Sequence, residues 1–145
     1  MRLLGNQHGY RPIDPHVEYE SDWYFATVNN HILDGKQAFR APWYSVSCNA
    51  EAKLKTMEAA SKLLTQLDKK WSDGRKFVAG ESLTIADFDF LGLTMSLLDN
   101  PYGMNPEINL AMRTEVMKNP NVSRMIAGHK IIFKSFIGSQ PHRFI

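Results

Sequence analysis

At 145 residues, with 43% hydrophobic and 22% charged side chains, the chain fits one folded domain and lies outside the polar, highly charged compositions of disordered proteins. Its 17 basic and 15 acidic residues are scattered and leave a net charge of +2, so no block of like charge marks a nucleic-acid-binding or membrane-surface patch. The single cysteine, Cys48, excludes an internal disulfide and a thiolate metal site, no apolar run approaches the roughly 20 residues of a membrane span, and Met1–Gly5 is too short for a secretory signal. These features point to the cytoplasm or another reducing compartment, with import into an organelle left open, and to a chain that neither inserts in a membrane nor binds nucleic acid.

The opening Met1 to Gly9 reads as the last turns of a helix, with Gly9 suited to the left-handed residue that ends one. Asp14-Pro15 supplies a cap followed by proline at the first helical position, and predicts a helix from Pro15 to about Leu33 that carries Trp23, Tyr24, Val28 and Ile32 as apolar positions. Phe39 to Ser45 reads as a loop because Pro42 blocks helix continuation. From about Asn49 to Trp71, the recurrence of Leu54, Met57, Ala60, Leu64, Leu67 and Trp71 predicts an amphipathic helix with these residues inward, closed by Ser72-Asp73-Gly74.

In Ser82-Leu83-Thr84-Ile85-Ala86-Asp87-Phe88, Thr84 can accept from the N–H of Asp87 while the Asp87 carboxylate reaches back to the Thr84 N–H, the reciprocal pattern of a capping box. Leu83 and Phe88 occupy the positions of a hydrophobic staple, and a helix is expected to run on to about Leu98. After a turn at 99–103, a short helix from Glu107 to Lys118 is expected to carry Ile108, Met112, Val116 and Met117 inward. Asn119-Pro120 repeats the cap-then-proline start for a last helix to about Ile131, with Val122, Met125 and Ile126 in the core. Phe133 to Ile145 is aromatic and basic and reads as a tail along the body. With no repeat and no strand period, the fold class is all-α, a bundle of about five to six helices.

The order of these signals resembles the C-terminal half of cytosolic glutathione transferases, above all the sigma-like and mu-like members. Phe77-Val78-Ala79-Gly80 followed by Thr84-Ile85-Ala86-Asp87-Phe88 matches the family's buried capping box in a core helix, and His8-Gly9-Tyr10-Arg11-Pro12, Asp14-Pro15 and Asn119-Pro120-Asn121-Val122 fall in the family's order. The resemblance implies three units: residues 1–14 as the remnant of an interdomain helix and linker, 15–137 as the helical domain, and 138–145 as a C-terminal tail. It also implies that the thioredoxin-like half, with its catalytic residue and glutathione grip, is missing. Where sigma-like members carry a second aspartate one turn after a first to reach glutathione in the partner subunit, Asp22 matches the first and Ala26 stands at the second.

The residues offer little catalytic chemistry. His8, His16, His31, His129 and His142 are widely separated, so each reads as a lone surface or helix-end histidine, and no metal site is expected. Cys48 lies in a cap region beside a helix start, Asp87 reads as a structural capping group, and no catalytic residue is expected. Tyr10, Tyr24, Trp43, Tyr44 and Tyr102 could line the apolar pocket that the family builds against its thioredoxin-like domain, a wall that would otherwise be an exposed apolar face of the kind that marks interfaces.

The expectation is therefore a non-catalytic scaffold subunit of a larger assembly, free of cofactor, that binds protein partners or a second copy of itself through that face. The alternative is the hydrophobic-substrate half of a glutathione transferase completed by a separate or omitted thioredoxin-like domain, with glutathione as its cofactor. A third possibility is a binder of apolar molecules between the helices.

Overall fold

The structure, a computed structural model, describes residues 2–33, 50–100 and 106–134. Among these residues six helices follow in order: α1 (Arg2–Gln7), α2 (Pro15–Leu33), α3 (Ala50–Lys70), α4 (Ile85–Leu97), α5 (Pro106–Met117) and α6 (Pro120–Ile132). Among the described residues there is no strand, only an isolated antiparallel bridge between Phe77 and Gly80. The all-helical class expected from the sequence is what the chain adopts.

The helix boundaries have local causes. Gly9 turns the chain after α1 at φ +74°, and the Gly5 carbonyl takes the N–H groups of Tyr10 and Arg11 at 2.9 and 3.1 Å. Asp14 caps α2 by accepting the His16 N–H at 2.8 Å, with Pro15 in the position where no N–H is required. The 3₁₀ turn Trp71–Asp73 finishes α3, and Gly74 at φ +82° donates its N–H to the Trp71 carbonyl.

Helix α3 is the hub of the bundle and packs against α2, α5 and α6, while α4 packs against α2 and α6. The core joins Tyr24 and Val28 of α2, Ala60, Leu63, Leu64 and Leu67 of α3, Phe90 of α4, Ile108, Met112 and Val116 of α5, and Val122, Met125 and Ile126 of α6 around the fully buried Trp71. The Trp71 ring meets Phe90 edge-on at 5.1 Å, and its Nε1–H donates to the Val78 carbonyl at 3.2 Å.

Two inward assignments are corrected. Leu54 is 61% exposed because the buried stripe of α3 runs through Thr56, Ala60, Leu63, Leu64 and Leu67, and a residue two positions before Thr56 is rotated about 200° away. Met117 is 79% exposed because Val116, one turn on from Met112, takes the core position.

The start of α6 departs from the local pattern as well. Asn119 makes no side-chain cap; its amide donates instead to the Glu115 carbonyl at 2.9 Å. The cap comes from α3, where Asp68 Oδ1 accepts the N–H groups of Asn121 at 2.7 Å and Val122 at 3.3 Å. A carboxylate from another helix thus takes the place expected for the preceding asparagine.

Candidate functional site

The polar centre of the molecule is the start of α4. Thr84 leaves the turn in extended geometry, and Asp87, three residues on, folds back over it. Asp87 Oδ2 accepts the Thr84 N–H at 2.7 Å and the Thr84 hydroxyl at 3.0 Å, while the Asp87 N–H closes the reciprocal box on Thr84 and bonds to its carbonyl at 3.1 Å. The other oxygen, Oδ1, accepts the Val78 N–H at 2.8 Å and lies 2.8 Å from His129 Nε2 on α6. One carboxylate therefore fastens the 77–80 turn, the start of α4 and the last helix together. The N-terminal segment joins them, since the Tyr10 carbonyl accepts the Ile85 N–H at 3.1 Å.

His129 overturns the reading of each histidine as a surface or helix-end residue: its side chain is 2% exposed. The signal was present in the sequence, because 129 continues the stripe of Val122, Met125 and Ile126 at steps of seven, four and three. The ring lies among Phe90, Phe77 and Phe133, with centroids at 5.2, 6.3 and 6.0 Å. Of the others, His8 and His16 are exposed and half-buried His31 faces Gln66 Oε1 at 3.1 Å; His142 lies outside the described residues.

An aspartate hydrogen-bonded to a histidine is also the pattern of an acid–base pair, but here both side chains are sealed from solvent and the neighbouring Thr84 hydroxyl donates to the same carboxylate. A buried pair that a dissolved substrate cannot touch holds structure together rather than moving a substrate's proton.

Residues expected on an apolar wall separate in the structure. Tyr24 is fully buried, which corrects its placement on an exposed face: it stands in the α2–α4 seam, edge-on to Phe25 and Phe90, and its hydroxyl donates to Asp89 Oδ2 at 3.2 Å. Burial and the adjacent Asp89 carboxylate push the Tyr24 phenol well above its ordinary value. Burial likewise pushes the Asp89 carboxyl up, with the Tyr24 hydrogen bond pulling the other way. Tyr10 remains at the surface at 36% exposure, its ring edge-on to Phe88 at 4.8 Å, and Phe88 in turn meets Phe133 at 5.3 Å. Leu83 and Phe88 are both half-buried. Trp43, Tyr44, Tyr102 and Cys48 lie outside the described residues.

A second buried charge, which sequence reasoning missed, belongs to α2. The Glu20 side chain is 6% exposed and pairs with Lys70 at 2.8 Å and Arg75 at 2.7 Å, and Arg75 also forks onto Asp73. Burial alone would raise the Glu20 carboxyl, but hydrogen bonds from Lys70 and Arg75, together with their charges, hold it below its ordinary value. A cleft of about 220 Å³ beside this cluster is bordered by His16, Asp73, Arg75 and Glu81. Among the described residues no group of three His, Cys, Asp or Glu could hold a metal, and no helix is long and apolar enough to cross a membrane.

An all-helical bundle whose core helix opens on a buried Thr-x-x-Asp box, reached by an N-terminal segment that bonds to its first turn, defines a recognisable class of domain. Residues 22–115 match the family model of the glutathione S-transferase C-terminal domain, and the chain belongs to that family. The comparison with curated proteins finds no match. The matched span contains the Thr84–Asp87 box and stops before α6, so His129 lies beyond it.

Proposed function

We propose that this chain is a non-catalytic interaction module, a scaffold subunit that uses a glutathione transferase-type helical domain to bind a protein partner or a second copy of itself within a larger assembly. The observation that supports this reading most is a run of exposed apolar side chains on the N-terminal segment and the start of α2: Leu3 at 69%, Ile13 at 99% and Tyr19 at 62%, with Tyr10 beside them in sequence. That segment is held in place, since Tyr10 bonds to Ile85 and the Arg11 guanidinium reaches Glu18 at 2.6 Å. Large apolar groups displayed on an anchored segment offer side chains of the kind that protein contacts cover. The buried Asp87, Glu20 and Asp68 are engaged in fastening helices, which fits a domain whose polar groups serve architecture. The reading needs no cofactor and places the chain in a reducing compartment.

Light scattering and chemical cross-linking of the purified chain, beside a Leu3→Ser/Ile13→Ser double variant, test it. Self-association or partner binding by the parent that the variant loses is the expected result. A parent that is strictly monomeric and binds the same proteins as the variant refutes it.

The half-exposed Tyr10 ring against Phe88 favours a second reading, in which this aromatic surface is the hydrophobic-substrate half of a glutathione transferase. Glutathione enters only here. Isothermal titration with S-hexylglutathione separates the two: saturable heat that a Tyr10→Ala variant loses supports the transferase half, and no heat supports the scaffold.

A further inference from the structure

Among the described residues, α3 and α4 share α2 and α6 as neighbours but do not pack closely on each other. Side chains alone span the seam between them, and they leave a cavity of about 40 Å³ bordered by Leu64 of α3, Phe90 and Leu97 of α4, Met112 of α5 and Ile126 of α6. Ala60 is a local cause: at this fully buried position α3 supplies a single methyl group, where its next inward residues are leucines.

The walls decide what such a space can hold. Thr94 is the one bordering residue with a polar side chain, and its hydroxyl is engaged by the Phe90 carbonyl at 2.8 Å. Backbone groups inside helices bond to one another. A buried water makes about three hydrogen bonds, so a water here would lack partners, and apolar cavities of this kind stay dry. Empty space deprives the bordering atoms of dispersion partners, which a polarisable apolar guest restores. In size the cavity exceeds the about 10–15 Å³ that one water needs and falls well short of the about 150 Å³ of an apolar protein cavity that accepts benzene.

We propose that the seam between α3 and α4 is a binding site for a compact apolar molecule smaller than benzene, such as a noble-gas atom or a hydrocarbon or halocarbon of a few heavy atoms. Leu93 and Leu97 border the cavity and are only half-buried, so this wall reaches the surface. A guest that passes these two side chains leaves the packing of α3 on α5 and α6 intact. The site shares no residue with the exposed Leu3, Ile13 and Tyr19, so it stands or falls separately from the interaction-module reading.

Xenon is the probe, since apolar protein cavities take it up. Carbon–proton spectra of the methyl-labelled full chain are recorded at rising xenon pressure, with nitrogen at the same pressures as the control. The expected shifts saturate along one curve and fall on the methyls of Leu64, Leu97, Met112 and Ile126, one from each of four helices. Ala60→Val adds two carbons at the cavity and should lose this response. A wild type that responds to xenon no more than to nitrogen, or only at exposed side chains such as Leu54 and Leu110, overturns the site. So does an Ala60→Val chain that folds and keeps the full response. Should that variant not fold, Leu64→Ala serves instead: it widens the cavity, and benzene should then shift the Met112 and Ile126 methyls. Benzene without effect on a folded Leu64→Ala chain overturns the site as well, and the wild-type xenon shifts decide alone if neither variant folds.

Discussion

Asp87 and His129, 42 residues apart in the chain, meet at 2.8 Å with neither side chain more than 2% exposed. Their contact joins the first turn of α4 to the last turn of α6, so a motif that serves a helix start locally also ties two core helices together. Because Thr84 and Val78 donate to the same carboxylate, the four residues behave as one unit.

Replacing Asp87 by alanine removes the acceptor of two backbone N–H groups and leaves the buried His129 ring without its partner at Nε2. The expected cost is about 2–6 kcal/mol, because each of the two buried N–H groups left without an acceptor costs about 1–3 kcal/mol. Thr84→Ala loses one hydroxyl and should cost about 1 kcal/mol. In the double variant the two costs should fall short of additivity, since they share a hydrogen bond. Urea unfolding of the three variants reads this directly; additive costs would mean that the Thr84 hydroxyl and the Asp87 carboxylate act separately.

Glu20 makes the fold sensitive to acid. Its carboxyl titrates lower in the fold than in the unfolded chain, so its contribution is present above the ordinary glutamate value of about 4.3 and is lost as pH falls through the folded titration. Glu20→Gln should lower the melting temperature at neutral pH, and the gap from the wild type should narrow toward about pH 3. A gap that widens in acid would show that Lys70 and Arg75 do not stabilise the carboxylate.

Asp89 acts with the opposite sign. Burial raises its carboxyl, so the folded chain takes up the proton more readily than the unfolded one and ionisation at neutral pH works against the fold. Asp89→Asn should therefore raise the melting temperature at neutral pH while keeping an acceptor for the Tyr24 hydroxyl, and the gain should vanish below the ordinary aspartate value of about 3.9. Calorimetry at two pH values checks both halves; destabilisation at neutral pH would mean that the Tyr24 hydrogen bond needs the full charge.

The start of α6 sets a cap from another helix against the local one. Asp68→Ala should cost about 1–2 kcal/mol, more than Asn119→Ala, because Asp68 holds the Asn121 and Val122 N–H groups. Urea midpoints that rank the two variants the other way would return the cap to Asn119.

Much of the bundle was legible because helix starts and stops are decided within four residues. Pro15 behind Asp14, the Thr84-x-x-Asp87 box, Gly9, Gly74 and Pro120 each act through their own backbone neighbourhood, and the helices begin and end at them within a residue or two. The apolar stripe of α6 was legible up to Ile126, and His129 was misplaced because a histidine's polarity hid its place in the same stripe. Tyr24 was misplaced for a related reason: an amphipathic ring suits a wall or a core, and only the Asp89 acceptor from α4 makes the buried site tolerable.

The sequence by itself determined the helices, their order and the buried box, all consequences of hydrogen bonds and side-chain steps that span a turn. Only the tertiary structure decided that Asp87 also holds His129, that Glu20 meets Arg75 across 55 residues, and that Asp68 caps a helix 53 residues away. A buried polar group must find its partner wherever packing brings one, and the separation along the chain does not enter that requirement.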